Sequence, residues 1–222
     1  MSRFGHVFLS WRKGVGHHRH LVGRIKRSAS EGVVFEYIEE NLEAAKQDGF
    51  SPYTEFPDVQ KKYTKNVLET FAQRITKSER TDIAPFYAFW KIEPEKLDDP
   101  LYMLAMTQGW VPTDNFEFLA DFQPTVDLFF VTDIAGLSDL KLPVGIVSIG
   151  DTLTYKRDIG NEHDRSATRI YKGDTYIGFV KKVHNRVFCQ TKRPLELRIE
   201  AIDQNGAIRR IFVSVRTSRN LS

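Results

Sequence analysis

Hydrophobic and polar positions change rhythm along this chain, and the changes divide it. Near the N-terminus apolar residues come in short, partly alternating runs, "GHVFLSW", "LVGRIKRS" and "GVVFEYI", which predict three strands. The Gly- and His-rich "RKGVGHHRHL" and the polar "SASEG" supply the turns between them. "EENLEAAKQDG" has helix-forming composition and a glycine at its expected stop. "SPYTEFP" is bounded by prolines and predicts a loop. From Asp58 to Ile75, residues Val59, Tyr63, Val67, Leu68, Phe71 and Ile75 recur at helical spacing, predicting one long helix with Asp58 as its N-cap. Another helix is predicted around "DDPLYMLAMTQGW". Strands followed by helices give an α+β domain over residues 1–120.

From Thr125 onward the pattern becomes one of short strands parted by polar turns. "TVDLFFVTD", "LPVGIVS", "DTLTYKRD", "ATRIYKG", "TYIGFV", "LELRIEAID" and "IRRIFVSVR" all predict strands, and one short helix, "KKVHNRVFCQT", interrupts them. Many short strands with a single helix predict a small barrel or sandwich over residues 125–218. The hinge between the domains is expected across Asp121 to Thr125.

Composition narrows the function classes. A chain of 222 residues with 41% hydrophobic and 12% aromatic residues can build two cores. No apolar run approaches the roughly 18 residues of a membrane span, and the N-terminus lacks the apolar stretch of a secretory signal. Cys189 is the only cysteine, which excludes an internal disulfide and a cysteine-built zinc site and suits a reducing cytoplasm. The net charge of +3 is unevenly spread: from Asp151 onward there are 15 Lys/Arg against 8 Asp/Glu, and before it 17 against 21. A basic final third beside an acidic remainder predicts that one module meets a polyanion.

Candidate chemistry concentrates in "YKRDIGNEHDRSAT", Tyr155 to Thr168, where Asp158, Asn161, His163 and Asp164 stand among Arg157, Arg165 and Arg169. Asn and Asp in a loop between strands can simply hydrogen-bond their own backbone. The wider stretch "GDTLTYKRDIGNEHDRSATRIYKGDTYIGFVKK" resembles the HIRAN domain. The matching positions are Gly150, Asp151, Leu153, Arg157, Asp158, Asn161, His163, Asp164, Ala167, Ile177, Gly178 and Phe179. His163 stands where the family often has tyrosine, Gly160 where it has proline beside the Asn, and Phe129 and Phe130 where its first strand carries an aromatic pair.

The resemblance implies an OB-like barrel with one or two short helices that binds single-stranded DNA and captures a free 3′ end. In that reading Asp164 accepts a hydrogen bond from the terminal 3′-hydroxyl, a role in which a carboxylate is useful and against a continuing phosphate is not. Arg157, Lys181 and Lys182 neutralise flanking phosphates. Phe129, Phe130, His163 and Phe179 line the pocket, the last three as faces for stacking bases, and Asp158 and Asn161 complete the loop.

The first 120 residues weakly resemble the β-rich N-terminal subdomain of HipA-type toxin kinases, on "FLSWRKG", "LVGRI" and "GVVFEYI". That implies a protein-contact module, and for the whole chain an alternative role in a toxin–antitoxin or phage-defence system, with the barrel as sensor or scaffold. Walker A, HRD and DFG motifs are absent. Ser10 and Ser148 lack a nucleophile-elbow context, and Cys189 with His184 is poorly spaced for a nucleophile pair on a helix. His17, His18, His20 and His6 read as a solvated turn rather than a metal site, and Asp158, Glu162 and Asp164 as arginine partners rather than Mg²⁺ ligands of a nuclease. The expectation is a protein without catalytic residues, metal or cofactor, whose partner is single-stranded DNA or its 3′ ends, with residues 1–120 open to a protein partner.

Overall fold

The computed structural model describes residues 3–14, 16–75, 83–111, 114–162 and 164–218. The chain divides into two compact units, Phe4–Asp121 and Phe122–Ser222, the second including Met1–Arg3. Each holds one antiparallel sheet. No described helix is long and apolar enough to cross a membrane.

In the first unit β1 (Phe4–Trp11), β2 (His20–Ser28) and β3 (Gly32–Tyr37) form a meander, and β4 (Phe116–Phe122) adds to its far side in the order β3-β2-β1-β4. The core is aromatic: Phe35, Phe56, Phe71 and Phe118 are all fully buried, with Phe71 5.2 Å from Phe35 and 5.0 Å from Phe118. Gly23 makes room for it, because a Cβ there would lie 2.5 Å from the Phe35 ring. Helix α1 (Glu39–Gln47) packs on β2, α2 (Val67–Ala72) on β3, and α3 (Ile83–Trp90) precedes α4 (Pro100–Thr107). Asp99 caps α4, accepting from the Leu101 and Tyr102 N–H groups, and Pro100 occupies the first turn, where its missing N–H costs nothing.

The long helix expected from Asp58 to Ile75 is not formed. Tyr63 instead makes a two-hydrogen-bond bridge to Phe35, and Asn66 takes a left-handed conformation (φ 56°) that lets a helix start only at Val67. Asp58 is therefore no N-cap: its carboxylate accepts from the Gln60 N–H in a local turn. The apolar residues at helical spacing are spread instead over a turn, the bridge at Tyr63 and the short α2, and the Tyr63 ring sits 4.9 Å from Phe56.

The second unit contains β5 (Phe129–Asp133), a short α5 (Leu137–Leu140), β6 (Thr152–Arg157), β7 (Thr168–Lys172), β8 (Thr175–Phe179), α6 (Asn185–Gln190), β9 (Leu195–Asn205) and β10 (Ala207–Thr217). Their order is β5-β10-β9-β6-β7-β8, and Ala135 bridges Phe179 through two 2.8 Å hydrogen bonds, so the two edges of the sheet meet. Closure removes free sheet edges at that point. It depends on Gly178: at φ +130° a Cβ would lie 2.5 Å from the Ala135 carbonyl oxygen and 2.5 Å from the Ile134 side chain. Leu197, Ile199, Ile211 and Val215 fill the interior. The strand expected at "LPVGIVS" is replaced by a turn in which the Ile146 N–H donates to the Pro143 carbonyl and Gly145 has φ 88°.

Candidate nucleic-acid interface

The loop between β6 and β7 is held by its own side chains. The Asp158 N–H donates to the Ala167 carbonyl, closing the loop's neck, and the Asn161 N–H donates to the Asp158 carbonyl. Asn161 Nδ2 donates to Asp158 Oδ2 at 3.1 Å, while Asn161 Oδ1 accepts from the Asp164 N–H at 2.9 Å. Asp164 Oδ1 accepts from the Ser166 N–H at 2.8 Å, and Asp164 Oδ2 from Asn185 Nδ2 at 2.9 Å. All but the last of these side-chain bonds are the short-range Asx hydrogen bonds that such residues favour at turns. Asp158, Asn161 and Asp164 thus have a structural role in full, and the carboxylate of Asp164 is fixed in position by it. Each oxygen keeps a further lone pair with which to accept.

Arg169, on β7, ties this loop to the sheet. Its guanidinium pairs with Asp158 Oδ2 at 2.9 Å, and its carbon lies 5.5 Å from the Tyr176 ring centre and 5.9 Å from that of Phe179. The hydrogen bond to Asp158 raises its already high pKa, so it stays charged. On the same face Lys156 Nζ stands 5.6 Å over Tyr171, and Tyr171, Tyr176 and Phe179 follow one another at 5.8 and 5.5 Å. Burial pushes the Tyr176 phenol up to about 12. At the neck of the loop the Arg157 guanidinium donates to the Arg165 carbonyl at 3.3 Å and is otherwise exposed.

Other expected site residues are placed elsewhere. Phe130 is fully buried, stacked at 4.3 Å on Phe122 and 5.0 Å from His184, so it is core and offers no face to a base. Lys181 is 2% exposed and ion-paired to Asp133, which also lies 3.3 Å from Arg210. A lysine whose charge is taken up inside the barrel does not reach a phosphate, and only its neighbour Lys182, which is exposed, is free to do so. Phe129 is half-buried on β5 opposite Arg216, six residues before the Ala135 that meets Phe179, on the order of 20 Å of strand away. His163 lies outside the described residues.

Asn185, Tyr176, Lys156 and Tyr171 are not among the site residues expected from the sequence. Asn185 carries no local signal, because it is 21 residues from the carboxylate it supports. Tyr176 and Phe179 are three apart, which in a regular strand puts them on opposite faces. The register shift between Ile170 and Tyr171 pairs Arg169 with Phe179 and Tyr171 with Tyr176, bringing both aromatic rings to one side.

His20 is not a free member of a solvated turn: its Nε2 is 2.6 Å from Asp48. Cys189 is only half-buried, with its sulfur 3.8 Å from the Ser166 carbonyl oxygen. Among the described residues no group of three or more His, Cys, Asp or Glu is placed to hold a metal ion.

No family model matches the chain, and no curated protein matches it significantly. Two solved structures resemble part of it. A protein from Lactobacillus plantarum matches with a TM-score of 0.33 at 15% identity, over 41% of this chain and 95% of its own. The HIRAN domain of human HLTF matches with a TM-score of 0.32 at 14% identity, over 41% of this chain and 77% of its own. Similarity at this level assigns no function, and none of the comparisons supports the resemblance of residues 1–120 to HipA-type kinases.

Proposed function

We propose that this chain is a non-catalytic binder of single-stranded DNA that engages free 3′ ends through its C-terminal barrel. The observation that carries the reading is the joined set Asp164, Asn161, Asp158, Arg169 and Phe179. A carboxylate fixed in place stands in one hydrogen-bonded chain with an exposed guanidinium that lies over an aromatic ring. A terminal 3′-hydroxyl donates to the carboxylate, Arg157 and Lys182 meet the phosphates behind it, and a base stacks at Phe179. The pattern shared with HIRAN domains, from Gly150 to Phe179, falls on this loop and the strands beside it. Asp158 and Asp164 are occupied by Arg169, Asn161, Ser166 and Asn185, an arrangement that suits ligand reading better than coordination of a divalent ion.

Fluorescence anisotropy with labelled oligonucleotides tests this. Strands ending in a 3′-hydroxyl are expected to bind more tightly than the same strands ending in a 3′-phosphate, and affinity is expected to fall with salt. Lys182→Ala should weaken all single strands alike and reduce the salt slope by roughly 0.7. Equal affinity for both ends removes end capture. Binding that is absent, or indifferent to salt, removes the nucleic-acid reading altogether.

A further inference from the structure

The outer face of β6, β7 and β8 carries an aromatic strip that the loop chemistry alone does not require. Lys156 and Arg169 alternate with Tyr171, Tyr176 and Phe179 across three strands, in the registers Lys156↔Arg169, Arg169↔Phe179 and Tyr171↔Tyr176. The three rings are half-buried and none is a member of the core, while Arg169 keeps 44% of its side chain exposed. Each cation sits over a ring: Lys156 at 5.6 Å from Tyr171, Arg169 at 5.5 Å from Tyr176. A register shift in β7–β8 is needed to bring Tyr176 and Phe179 to the same side.

We infer that this strip is a stacking track for the bases of a single-stranded polynucleotide running away from the 3′ end held at the loop. The inference rests on the reading of the loop as a 3′-end site and extends it: Phe179 takes the base nearest the end, and Tyr176 and Tyr171 take those that precede it. Three features favour this occupant. Flat π-faces accept any base, so a track of tyrosines suits a ligand of mixed sequence. The interleaved Lys156 and Arg169 match a backbone with one negative charge per nucleotide, within a region holding 15 Lys/Arg against 8 Asp/Glu. The strip is also continuous with the loop, because the same Arg169 that lies over Tyr176 and Phe179 is the partner of Asp158.

The track predicts a dependence on length that an end site alone does not show. Oligothymidylates of two, four, six and eight nucleotides, all ending in a 3′-hydroxyl, are titrated against the full chain. Wild-type affinity should rise with length and level off once the rings are covered. The double variant Tyr171→Leu/Tyr176→Leu retains bulk without a π-face. It should lose about tenfold or more for strands of four nucleotides and longer, and less for the dinucleotide, whose second base reaches only Tyr176, while its preference for a 3′-hydroxyl over a 3′-phosphate stays that of the wild type. Tyr171→Phe/Tyr176→Phe should restore the longer strands. 2-Aminopurine placed two or three positions from the 3′ end should be quenched by the wild type and not by the Leu pair, a signature that a merely structural role for the tyrosines does not move.

If the Leu pair melts like the wild type and binds every length equally well, the track is refuted while the end site stands, and the strip is a packing or protein-docking face. If the wild type holds the dinucleotide as tightly as the octamer, the track is likewise refuted. If the wild type binds no oligonucleotide, the end-site reading fails and this inference with it.

Discussion

The carboxylate proposed to read the 3′-hydroxyl is also a strut, and this decides how it must be mutated. Asp164 accepts from the Ser166 N–H and from Nδ2 of Asn185, a residue only 2% exposed. Asp164→Ala leaves the buried Asn185 amide donor without its acceptor, costing about 1–3 kcal/mol, and removes one exposed turn hydrogen bond worth about 1 kcal/mol more. For a unit of this size that lowers the melting temperature by on the order of 10 °C. Asp164→Asn behaves differently. Its Oδ1 still accepts from Ser166. Asn185 Oδ1, which is buried without a hydrogen-bond partner among the described residues, can turn towards the new amide when the Asn185 carboxamide flips. The variant should stay within about 1 kcal/mol of wild type while losing the charge.

Urea titration of the two variants measures the stabilities, and anisotropy with 3′-hydroxyl and 3′-phosphate strands measures the reading of the end. The expected result is a stable Asp164→Asn protein whose preference for the 3′-hydroxyl falls about tenfold and whose binding to 3′-blocked strands is unchanged or slightly better. If Asp164→Ala unfolds like the wild type, the strut is not there. If Asp164→Asn is stable and still prefers the hydroxyl to the same degree, the carboxylate does not read it.

Two other outcomes test the fold that positions the site. Gly178→Ala places a Cβ 2.5 Å from the Ala135 carbonyl oxygen at a φ of +130°, so it should cost about 3 kcal/mol or more and weaken binding through displacement of Phe179; a wild-type melt would show that edge closure is not as described. Asp151 accepts from Lys172 Nζ at 2.5 Å and from the Ser148 N–H at 2.9 Å, and the Lys172 hydrogen bond, ahead of that from Ser148, holds its carboxyl below the usual range. A depressed folded pKa means that its contribution is present above the ordinary carboxylate value of about 4 and is lost as pH falls through the folded value. Melting temperature against pH should therefore fall less steeply below about pH 4 in Asp151→Asn than in wild type, and parallel acid limbs would contradict the assignment.

What the sequence made legible was the local chemistry. Asp158, Asn161 and Asp164 lie three apart, and bonds between residues at that spacing are set by the turn they form, so their grouping could be read without knowing the fold. The β6–β10 strands were legible for the same reason, since alternation along one strand needs no partner. Where the reading failed, a distant segment decided the matter. Helical spacing from Asp58 to Ile75 lost to a bridge between Tyr63 and Phe35, 28 positions earlier. Lys181 and Lys182 look alike in the chain, yet Asp133 on β5 draws the first inside and leaves the second to solvent.

The same division runs through the site itself. Its loop members can be found by spacing, but the aromatic strip exists only because a register shift in β7–β8 turns Tyr176 and Phe179 to one side and closure at Gly178 fixes Phe179 beside Ala135. Residues proposed to meet the end of a DNA strand are then of two kinds. Those held within the loop are set by its own turn hydrogen bonds together with the contacts of Asp164 with Asn185 and of Asp158 with Arg169. Those on the strip depend on the whole closed sheet, so a substitution at Gly178, which touches no ligand, should impair stacking at Phe179 before it impairs the hydrogen bonds around Asp164.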